Sequence, residues 1–287
     1  MIKKVFFKKK WFFEKALPGE PQFIIWGMAA GKEIFSGRSK YQKIEIFNNE
    51  NLGRVLVLDG RVQLSTKYEF RYHEMLVHPA MIYHSNPEKV LIIGGGDGGA
   101  LREMAKHPVK EIFLVDIDKE IIKISRKYLP SVSSGAFNDK RLKIFIEDGL
   151  KFIKKFNNFF DIIIIDSTDP QGPSKKLFKI KFYRDIRRAL RKEGIFAAQT
   201  GYYSDRWGKE AVGGIKRIFP FSKIIRVFVD CFPLGEQTFC LGSKKVNFDK
   251  FGPKEVKEKY EKLNLKTRYY SPEIHFSSLV FPKNSPI

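Results

Sequence analysis

Aspartate side chains follow four apolar segments of the sequence, each at the point where the segment ends. Asp97, Asp116 and Asp148 come after three of these segments, and Asp166 and Asp169 come after the fourth. Two carboxylates three residues apart at the end of a buried strand are costly unless a cation neutralises them. The pattern therefore predicts a site for a positively charged small molecule.

A glycine-rich segment, residues 94–99, follows the first of these apolar runs. Gly94, Gly96 and Gly99 satisfy GxGxxG, and Asp116 comes 22 residues after Gly94, as in dinucleotide-binding proteins. A nicotinamide-dependent oxidoreductase is therefore one hypothesis. Asp97 argues against it, because a carboxylate in this loop repels a pyrophosphate. Asp97 is also suited to cap the following helix.

The other acidic segments leave alternatives open. Asp148 is suited either to meet an adenine amino group or to cap the next helix. An Asx turn accounts for Asp169-Pro170 but leaves Asp166 unexplained. A metal at Asp166 and Asp169 is possible, yet no histidine or further acid nearby in the sequence completes a ligand set.

The whole chain is basic, in contrast to these segments. Its 287 residues include 53 Lys or Arg and 32 Asp or Glu, a formal net charge of +21, which suggests an anionic partner. The basic stretches 3–10 and 254–262 are interpreted as solvated faces, so no specific nucleic-acid partner is predicted. An acidic site on a basic chain favours a cationic substrate.

No membrane span, secretory signal, disulfide or zinc motif is predicted. No apolar run approaches the roughly 20 residues of a membrane span, and residues 1–15 lack a signal's apolar segment and cleavage site; an edge strand or an oligomer contact is expected there. Cys231 and Cys240 fit buried apolar positions in a reducing cytoplasm. His73 and His78, five residues apart, diverge by about 140° on a helix and do not share one face.

The elements that position the aspartates indicate the α/β class. Residues 1–85 are predicted to form a small antiparallel β domain ending in a helix over 67–83, with Pro79 marking a kink or break. Residues 86–287 are predicted to form a Rossmann-like domain, because continuous apolar strands alternate with helices. Its predicted strands are 89–93, 111–115, 142–146, 161–165 and 194–199, with a closing antiparallel pair at 224–229 and 238–241, and its predicted helices are 100–106, 119–128, 150–156 and 182–191.

Several motifs in this order resemble the spermidine synthase (polyamine aminopropyltransferase) family over roughly residues 30–245. The matching segments are Tyr41-Gln42, residues 55–60 with Gln63, Tyr72-His73-Glu74-Met75, the glycine segment 94–99, Asp166-Ser-Thr-Asp-Pro170 with Gly172-Pro173, Leu177-Phe178 and Phe182-Tyr183.

This resemblance implies a methyltransferase-like Rossmann domain, and transfer of an aminopropyl group from decarboxylated S-adenosylmethionine to putrescine. Cadaverine, agmatine and spermidine are alternative acceptors, the donor is a co-substrate, and no cofactor is implied. A homodimer or homotetramer joined through the β domain is also implied. The implied roles are proton acceptor for Asp166, amine binding for Asp169, donor ammonium for Asp97, ribose for Asp116, adenine for Asp148 and Gly149, and pocket lining for Gln42, Gln63, Tyr72, His73, Pro173 and Gln199.

The sequence departs from the family pattern at a few positions. Tyr68 replaces an Asp, Asp116 replaces a more usual Glu, and Phe232 replaces a common Tyr, while Leu234 and Glu236 are also atypical. These changes fall mainly where the amine acceptor is expected, so they leave the acceptor less defined than the reaction.

Overall fold

The structure is a computed structural model that describes residues 10–14, 26–170, 172–202, 206–233 and 235–283. Three β-sheets, of two, four and seven strands, make up its framework. Among the described residues, no helix is both long and apolar enough to cross a membrane.

The first part of the chain forms two antiparallel sheets, as the hairpin pattern predicted. In the four-stranded sheet, the turn between the last two strands is made by Asp59 and Gly60, whose φ angles of 49° and 85° suit a two-residue hairpin turn. The strands are β1 (Trp11–Phe13), β2 (Gly27–Ala29), β3 (Glu33–Arg38), β4 (Lys43–Asn49), β5 (Gly53–Leu58) and β6 (Arg61–Ser65). The apolar run 22–29, which also indicates a strand, lies outside the described residues up to residue 25.

The second part is built on a seven-stranded sheet, and the predicted parallel arrangement is confirmed for its first five strands. Buried residues are almost continuous in the three central strands, 89–94, 111–116 and 160–166, because helices cover both faces, whereas the edge strand 142–146 has none. The strands are β7 (Lys89–Gly94), β8 (Glu111–Asp116), β9 (Leu142–Ile146), β10 (Phe160–Asp166), β11 (Leu190–Gln199), β12 (Phe221–Phe228) and β13 (Glu236–Ser243).

The order across this sheet is β12-β13-β11-β10-β7-β8-β9. The last strand, β13, lies antiparallel between β11 and β12, as in methyltransferase-like sheets, and the predicted closing pair is confirmed. Because β8 and β10 lie on opposite sides of β7, the chain order reverses there, and ligands of open α/β sheets bind at such a point.

The helices mostly follow the predicted alternation. They are α1 (Phe70–Tyr83), α2 (Gly99–Ala105), α3 (Lys119–Tyr128), α4 (Pro130–Ser133), α5 (Gly149–Phe152), α6 (Ile180–Ala189), α7 (Arg206–Ile218), α8 (Pro253–Lys262) and α9 (Pro272–Ser277). The helix predicted over 150–156 is shorter, because it tightens into a 3-10 turn at Ile153–Lys155. The helix predicted over 182–191 instead ends at Ala189, where β11 begins.

Helix α1 connects the two parts of the protein and is almost entirely buried. It begins at Phe70 rather than at residue 67, and it continues past Pro79, so a break there is wrong; packing on all sides outweighs the lost backbone hydrogen bond. The Glu74 carboxylate accepts backbone N–H bonds from Arg268, Tyr269 and Tyr270, which fixes the helix to the C-terminal segment. The domain division at residue 85 stays a prediction.

The two histidines of α1 face different surroundings, as the five-residue spacing predicted. His78 is fully buried, with Nδ1 2.9 Å from His107 Nε2 and Nε2 2.9 Å from Glu103 Oε2. His73 points toward the end of β10. Cys231 and Cys240 are buried and free, as predicted. Lys254 and Lys257 of α8 lie largely exposed beside its glutamates, which confirms a solvated face there, whereas Lys259 points inward and donates to the carbonyl of His84.

Candidate active site

One cavity between the antiparallel sheet and the ends of the parallel strands contains all the predicted site residues. The structure brings the twelve together; the role of each remains a prediction. They are Gln42, Gln63, Tyr72, His73, Asp97, Asp116, Asp148, Gly149, Asp166, Asp169, Pro173 and Gln199.

The centre of the cavity is the junction of β7 and β10, which are hydrogen-bonded neighbours. Asp166 is paired in register with Gly94, and Gly95 N donates to Asp166 O at 2.8 Å. A side chain at Gly94, where φ is +84°, would come 2.1 Å from Asp166 O. Glycine at this position therefore allows the loop to carry Asp97 past the end of β10.

His73 reaches this junction from α1. A Cβ at Gly99 would lie 2.2 Å from the His73 ring, so the glycine leaves space for the imidazole. The Glu69 carboxylate lies 2.6 Å from His73 Nδ1 and pairs with Arg102 at 2.7 Å. Glu69 thus fixes the ring so that Nε2 faces the cavity.

The Nε2 edge of the buried His73 ring faces two carboxylates. Nε2 lies 3.5 Å from Asp97 Oδ1 and 3.8 Å from Asp166 Oδ2. Burial alone would lower the pKa of His73, but Asp97, Glu69 and Asp166 together raise it to about 9. His73 is therefore a cation at neutral pH.

Asp166 is a strongly perturbed carboxyl group that faces His73. Burial and the charge of Asp97 raise its pKa to about 7, against the opposing charge of His73. Its buried Oδ2 accepts no hydrogen bond within the described part of the chain. Burial and the negative charge of Asp166 raise the pKa of the adjacent Tyr72 well above its usual range, so the phenol stays protonated. Asp166 is thus suited to bind a cation and to accept a proton near neutral pH.

Asp97 accepts a backbone N–H at the start of α2 and also lines the cavity. Its Oδ1 accepts the N–H of Gly99 at 2.7 Å, but the N-cap residue of α2 is Gly98 and no side chain caps the helix there, so the alternative that Asp97 is the N-cap is wrong. The same carboxylate faces His73 and the cavity.

Asp116 lies at the end of β8, where its Oδ1 accepts the N–H of Asp118 at 2.8 Å. Burial raises the pKa of Asp116 to about 7, assisted by the charges of Asp118 and Asp97. Asp118 Oδ2 in turn accepts from Gln42 Nε2 at 3.0 Å and from Ser39 Oγ at 2.6 Å. These bonds hold the β3–β4 turn over the cavity.

Asp148 caps α5 by accepting the N–H of Leu150 at 2.8 Å, so its capping alternative is observed. A Cβ at Gly149 would come 2.4 Å from Ile93, and the missing side chain lets α5 approach β7. Both residues line the cavity. This pair can therefore cap the helix and face a ligand.

The other end of the cavity is polar and contains Asp169. Its Oδ2 accepts from Arg61 Nη2 at 2.8 Å, and Glu14 lies 3.3 Å from Arg61 Nε. Nearby, Gln199 Oε1 accepts from Gln237 Nε2 at 2.8 Å, which fixes the amide on the cavity wall.

Sequence reasoning missed Glu14, Arg61, Glu69 and Gln237. Two of them could have been found from spacing. Arg61 and Gln63 are two residues apart on β6 and so share a face, and Glu69 precedes His73 by four residues, the spacing of one helical turn. No local signal in the sequence indicates Glu14 or Gln237.

The expectation that no histidine lies near Asp166 was wrong. Ligand atoms of His73, Asp97 and Asp166 all lie within 4.8 Å of one another, because α1 approaches the junction from a distant part of the sequence. With its pKa at about 9, His73 carries a proton at neutral pH and must lose it before it can bind a metal. With His73 protonated, the carboxylates of Asp97 and Asp166 are suited to attract an ammonium ion rather than to bind a metal.

The family model described as "Spermine/spermidine synthase domain" matches residues 69–250, and "Spermidine synthase tetramerisation domain" matches residues 10–66. The polyamine aminopropyltransferase of Caldicellulosiruptor saccharolyticus is 39% identical over 275 residues, 95% of each chain. That of Thermotoga neapolitana is 43% identical over 260 residues, 89% of this chain and 86% of the relative.

Solved structures are similar to this fold throughout. A crystal structure of spermidine synthase in complex with the transition state analogue AdoDATO superposes with a TM-score of 0.89 at 40% identity, covering 96% of this chain and 93% of that one. Spermidine synthase from Thermotoga maritima superposes with a TM-score of 0.87 at 40% identity, covering 96% and 92%.

The fold and the site together define a transferase with a methyltransferase-like catalytic domain and an acidic substrate cavity. The chain belongs to the spermine/spermidine synthase family. It is accordingly an aminopropyltransferase of the spermidine synthase type, and the match to the tetramerisation domain supports a homo-oligomer.

Proposed function

We propose that the enzyme transfers the aminopropyl group of decarboxylated S-adenosylmethionine to putrescine, giving spermidine and methylthioadenosine. The observation that carries this proposal is the acidic cavity: Asp97, Asp166 and Asp169 line one site in a chain of net charge +21. Both substrates are cations, and carboxylates around a cavity raise their local concentration.

The donor is expected to bind at the ends of β7, β8 and β9. We assign Asp116 to both ribose hydroxyls, because a carboxylate has two acceptor oxygens. We assign Asp148 and Gly149 to the adenine. Asp97 is expected to attract the aminopropyl ammonium and to repel the carboxylate of ordinary S-adenosylmethionine.

The reaction requires one amine to be neutral. Putrescine binds as an ammonium ion beside Asp166, gives a proton to that carboxylate, and attacks the carbon next to the sulfonium. A C–N bond forms as the C–S bond breaks. The electron pair of the C–S bond stays on the sulfur, which becomes a neutral thioether. The sulfonium supplies the activation, so we propose no metal and no redox cofactor, and the protein's main task is positioning.

Asp166 suits this step because its pKa of about 7 lies near the working pH. A carboxylate with an ordinary pKa holds a proton too weakly to take one from an ammonium ion efficiently. The fixed charge of His73 keeps Asp97 and Asp166 close together despite their repulsion. We therefore assign His73 an electrostatic role and Glu69 a positioning role.

We also propose that the enzyme works in the cytoplasm as a homodimer or homotetramer, without a specific nucleic-acid or membrane partner. The buried free cysteines are consistent with a reducing compartment. The nicotinamide hypothesis has no support, since the relatives are aminopropyltransferases and the Asp97 carboxylate in the glycine-rich loop would repel a pyrophosphate.

The acceptor is tested with decarboxylated S-adenosylmethionine and putrescine, cadaverine, agmatine or spermidine, alone and in pairs. Methylthioadenosine release and product mass are measured. We expect the highest kcat/KM with putrescine. A higher value with another amine would change the acceptor, and no release with any amine would overturn the proposed function.

A further inference from the structure

Two side chains of the β3–β4 turn, residues 39–42, reach across to the end of β8. Ser39 Oγ and Gln42 Nε2 both donate to Asp118 Oδ2, at 2.6 Å and 3.0 Å. Within the described residues, the hydrogen bonds from this turn to the second part of the protein all end on this one carboxylate oxygen. Asp118 is only 2% exposed, so a loss of either bond would leave a buried polar group to be satisfied.

The turn is also closed by hydrogen bonds of its own. Ser39 Oγ accepts the N–H groups of Tyr41 and Gln42, at 3.0 Å and 3.1 Å, and Ser39 N donates to Gln42 O at 2.9 Å. Because Ser39 Oγ already accepts two bonds, its hydrogen is left to donate, and Asp118 accepts it. The turn and Asp118 are therefore held together as one unit.

Asp118 determines which way round the Gln42 amide lies. A carboxylate accepts hydrogen bonds and does not donate them, so the part of the amide that faces Asp118 must be the NH2 group. The amide oxygen is then the group that Gln42 has left for a ligand, on a side chain that lines the cavity.

Asp118 is itself fixed by the backbone around it. Its N–H donates to Asp116 Oδ1 at 2.8 Å, and its Oδ1 accepts the N–H of Glu120 at 3.1 Å as the cap of α3. These bonds place Asp118 between Gln42 and Asp116, the residue that we assign to the donor ribose. The Gln42 amide therefore adjoins the donor end of the cavity.

We propose that Asp118 is a positioning residue for the donor, because it holds the β3–β4 turn against β8 and presents the Gln42 amide oxygen, rather than its NH2 group, to the bound nucleoside. This inference rests on the proposed function. Asp118 is not among the described residues that line the cavity, so it acts through Gln42. Since the transferred group lies near Asp166, we expect Asp118 to affect donor binding and not the transfer step.

The test measures KM for decarboxylated S-adenosylmethionine and kcat at saturating putrescine. Asp118→Asn can still cap α3 through its oxygen, which places an NH2 group against that of Gln42 and makes the Gln42 amide turn over. We expect the donor KM to rise about tenfold while kcat stays within about twofold. Asp139→Asn is the matched control, because Asp139 also accepts the N–H two residues on, from Arg141 at 2.8 Å, outside the cavity. It should change neither constant.

An exchange of the two groups tests the orientation itself. In Asp118→Asn combined with Gln42→Glu, the amide and the carboxylate change places. The new amide donates to one oxygen of the new carboxylate, and the other oxygen is again an acceptor toward the cavity. The donor KM should return to within about threefold of the wild type.

A second route from Asp118 to the donor must be separated from this one. Burial raises the pKa of Asp116, and the charge of Asp118 assists, so Asp118→Asn also alters Asp116. Any effect through Asp116 persists when Gln42 is replaced by alanine, whereas an effect through Gln42 does not. In the Gln42→Ala background, Asp118→Asn should therefore raise the donor KM by less than about twofold.

The outcomes separate this inference from the proposed function. An unchanged donor KM in Asp118→Asn, an exchanged pair no better than Asp118→Asn, or a full effect in the Gln42→Ala background overturns the positioning role, while methylthioadenosine release by the wild type still supports the reaction. If Asp118→Asn does not fold, Gln42→Glu decides: two facing carboxylates should raise the donor KM at least about tenfold, and an unchanged KM overturns the inference. No release by the wild type with any amine overturns the proposed function itself.

Discussion

Replacement of Asp166 by asparagine is expected to abolish aminopropyl transfer and yet to stabilise the folded protein at alkaline pH. The asparagine keeps the size of the side chain but can neither ionise nor accept the proton of the amine. Loss of activity with a gain in stability distinguishes a catalytic group held in an unfavourable environment from a residue that the fold needs.

The magnitude follows from the pKa. Burial and Asp97 raise the pKa of Asp166 from 3.8 to about 7, a difference of about 3 units and therefore about 4 kcal/mol. Because the folded pKa lies above the unfolded one, this carboxyl contributes most stability below about pH 4, and the contribution is lost as pH rises through about 7. The asparagine variant lacks this loss.

The assay is urea unfolding of both proteins between about pH 4.5 and about pH 8, with circular dichroism as the signal that monitors unfolding. Equal protein concentrations are needed, because the stability of an oligomer depends on concentration. The variant's free energy of unfolding minus that of the wild type should increase by about 3 kcal/mol across this range, because about 1 kcal/mol of the total is already lost below it. Asp116→Asn should behave in the same direction, since burial raises the pKa of Asp116 to about 7 as well.

If the difference in free energy of unfolding between the variant and the wild type stays constant with pH, or decreases toward alkaline pH, ionisation of Asp166 does not destabilise the folded state. The pKa reasoning would then be wrong, and with it the explanation of why this carboxylate is a good base. Substantial activity in Asp166→Asn would refute its catalytic role directly.

Three further variants test the groups around Asp166. Asp97→Asn should lower kcat/KM for decarboxylated S-adenosylmethionine by on the order of tenfold. Calorimetry should show that the ratio of its affinities for decarboxylated and ordinary S-adenosylmethionine also falls. An unaltered affinity ratio would contradict the role of Asp97. Glu69→Gln should lower the pKa of His73 from about 9, because it removes a hydrogen bond and a charge, and NMR titration of the His73 ring should detect this; an unmoved pKa would refute the pairing. Gly99→Ala places a Cβ 2.2 Å from the His73 ring and should reduce kcat/KM about tenfold or more. The control Gly213→Ala on α7, where a Cβ would have nothing within 4 Å, should keep its activity. Equal activity of the two variants would argue against tight packing at Gly99.

Much of the catalytic sheet could be predicted from sequence because its central strands, β7, β8 and β10, are buried on both faces. The run Lys89 to Ile93 is almost continuously apolar and is followed by glycines, so both the strand and the position of its carboxyl end were evident. The aspartates that end such strands were then expected to meet, and Asp166 does pair in register with Gly94.

The supporting contacts could not be predicted in the same way, because they join distant parts of the chain. His73 meets Asp166 only because α1 packs across the end of the parallel sheet, and Arg61 meets Asp169 across 108 positions. Such pairs depend on how the antiparallel sheet docks, which hydrophobic periodicity does not encode. The continuation of α1 through Pro79 and the end of α5 before Ile153 were not predicted for a related reason, since tertiary packing outweighs local propensity.

The central claim is that an acidic cavity on this basic protein transfers an aminopropyl group between two cations. The most direct measurement is the release of methylthioadenosine from decarboxylated S-adenosylmethionine with putrescine, with the amine product quantified by mass spectrometry. We predict equal amounts of methylthioadenosine and spermidine from the wild type, and neither from Asp166→Asn. Absence of both products from the folded wild type, or their formation by Asp166→Asn at the wild-type rate, would contradict this account.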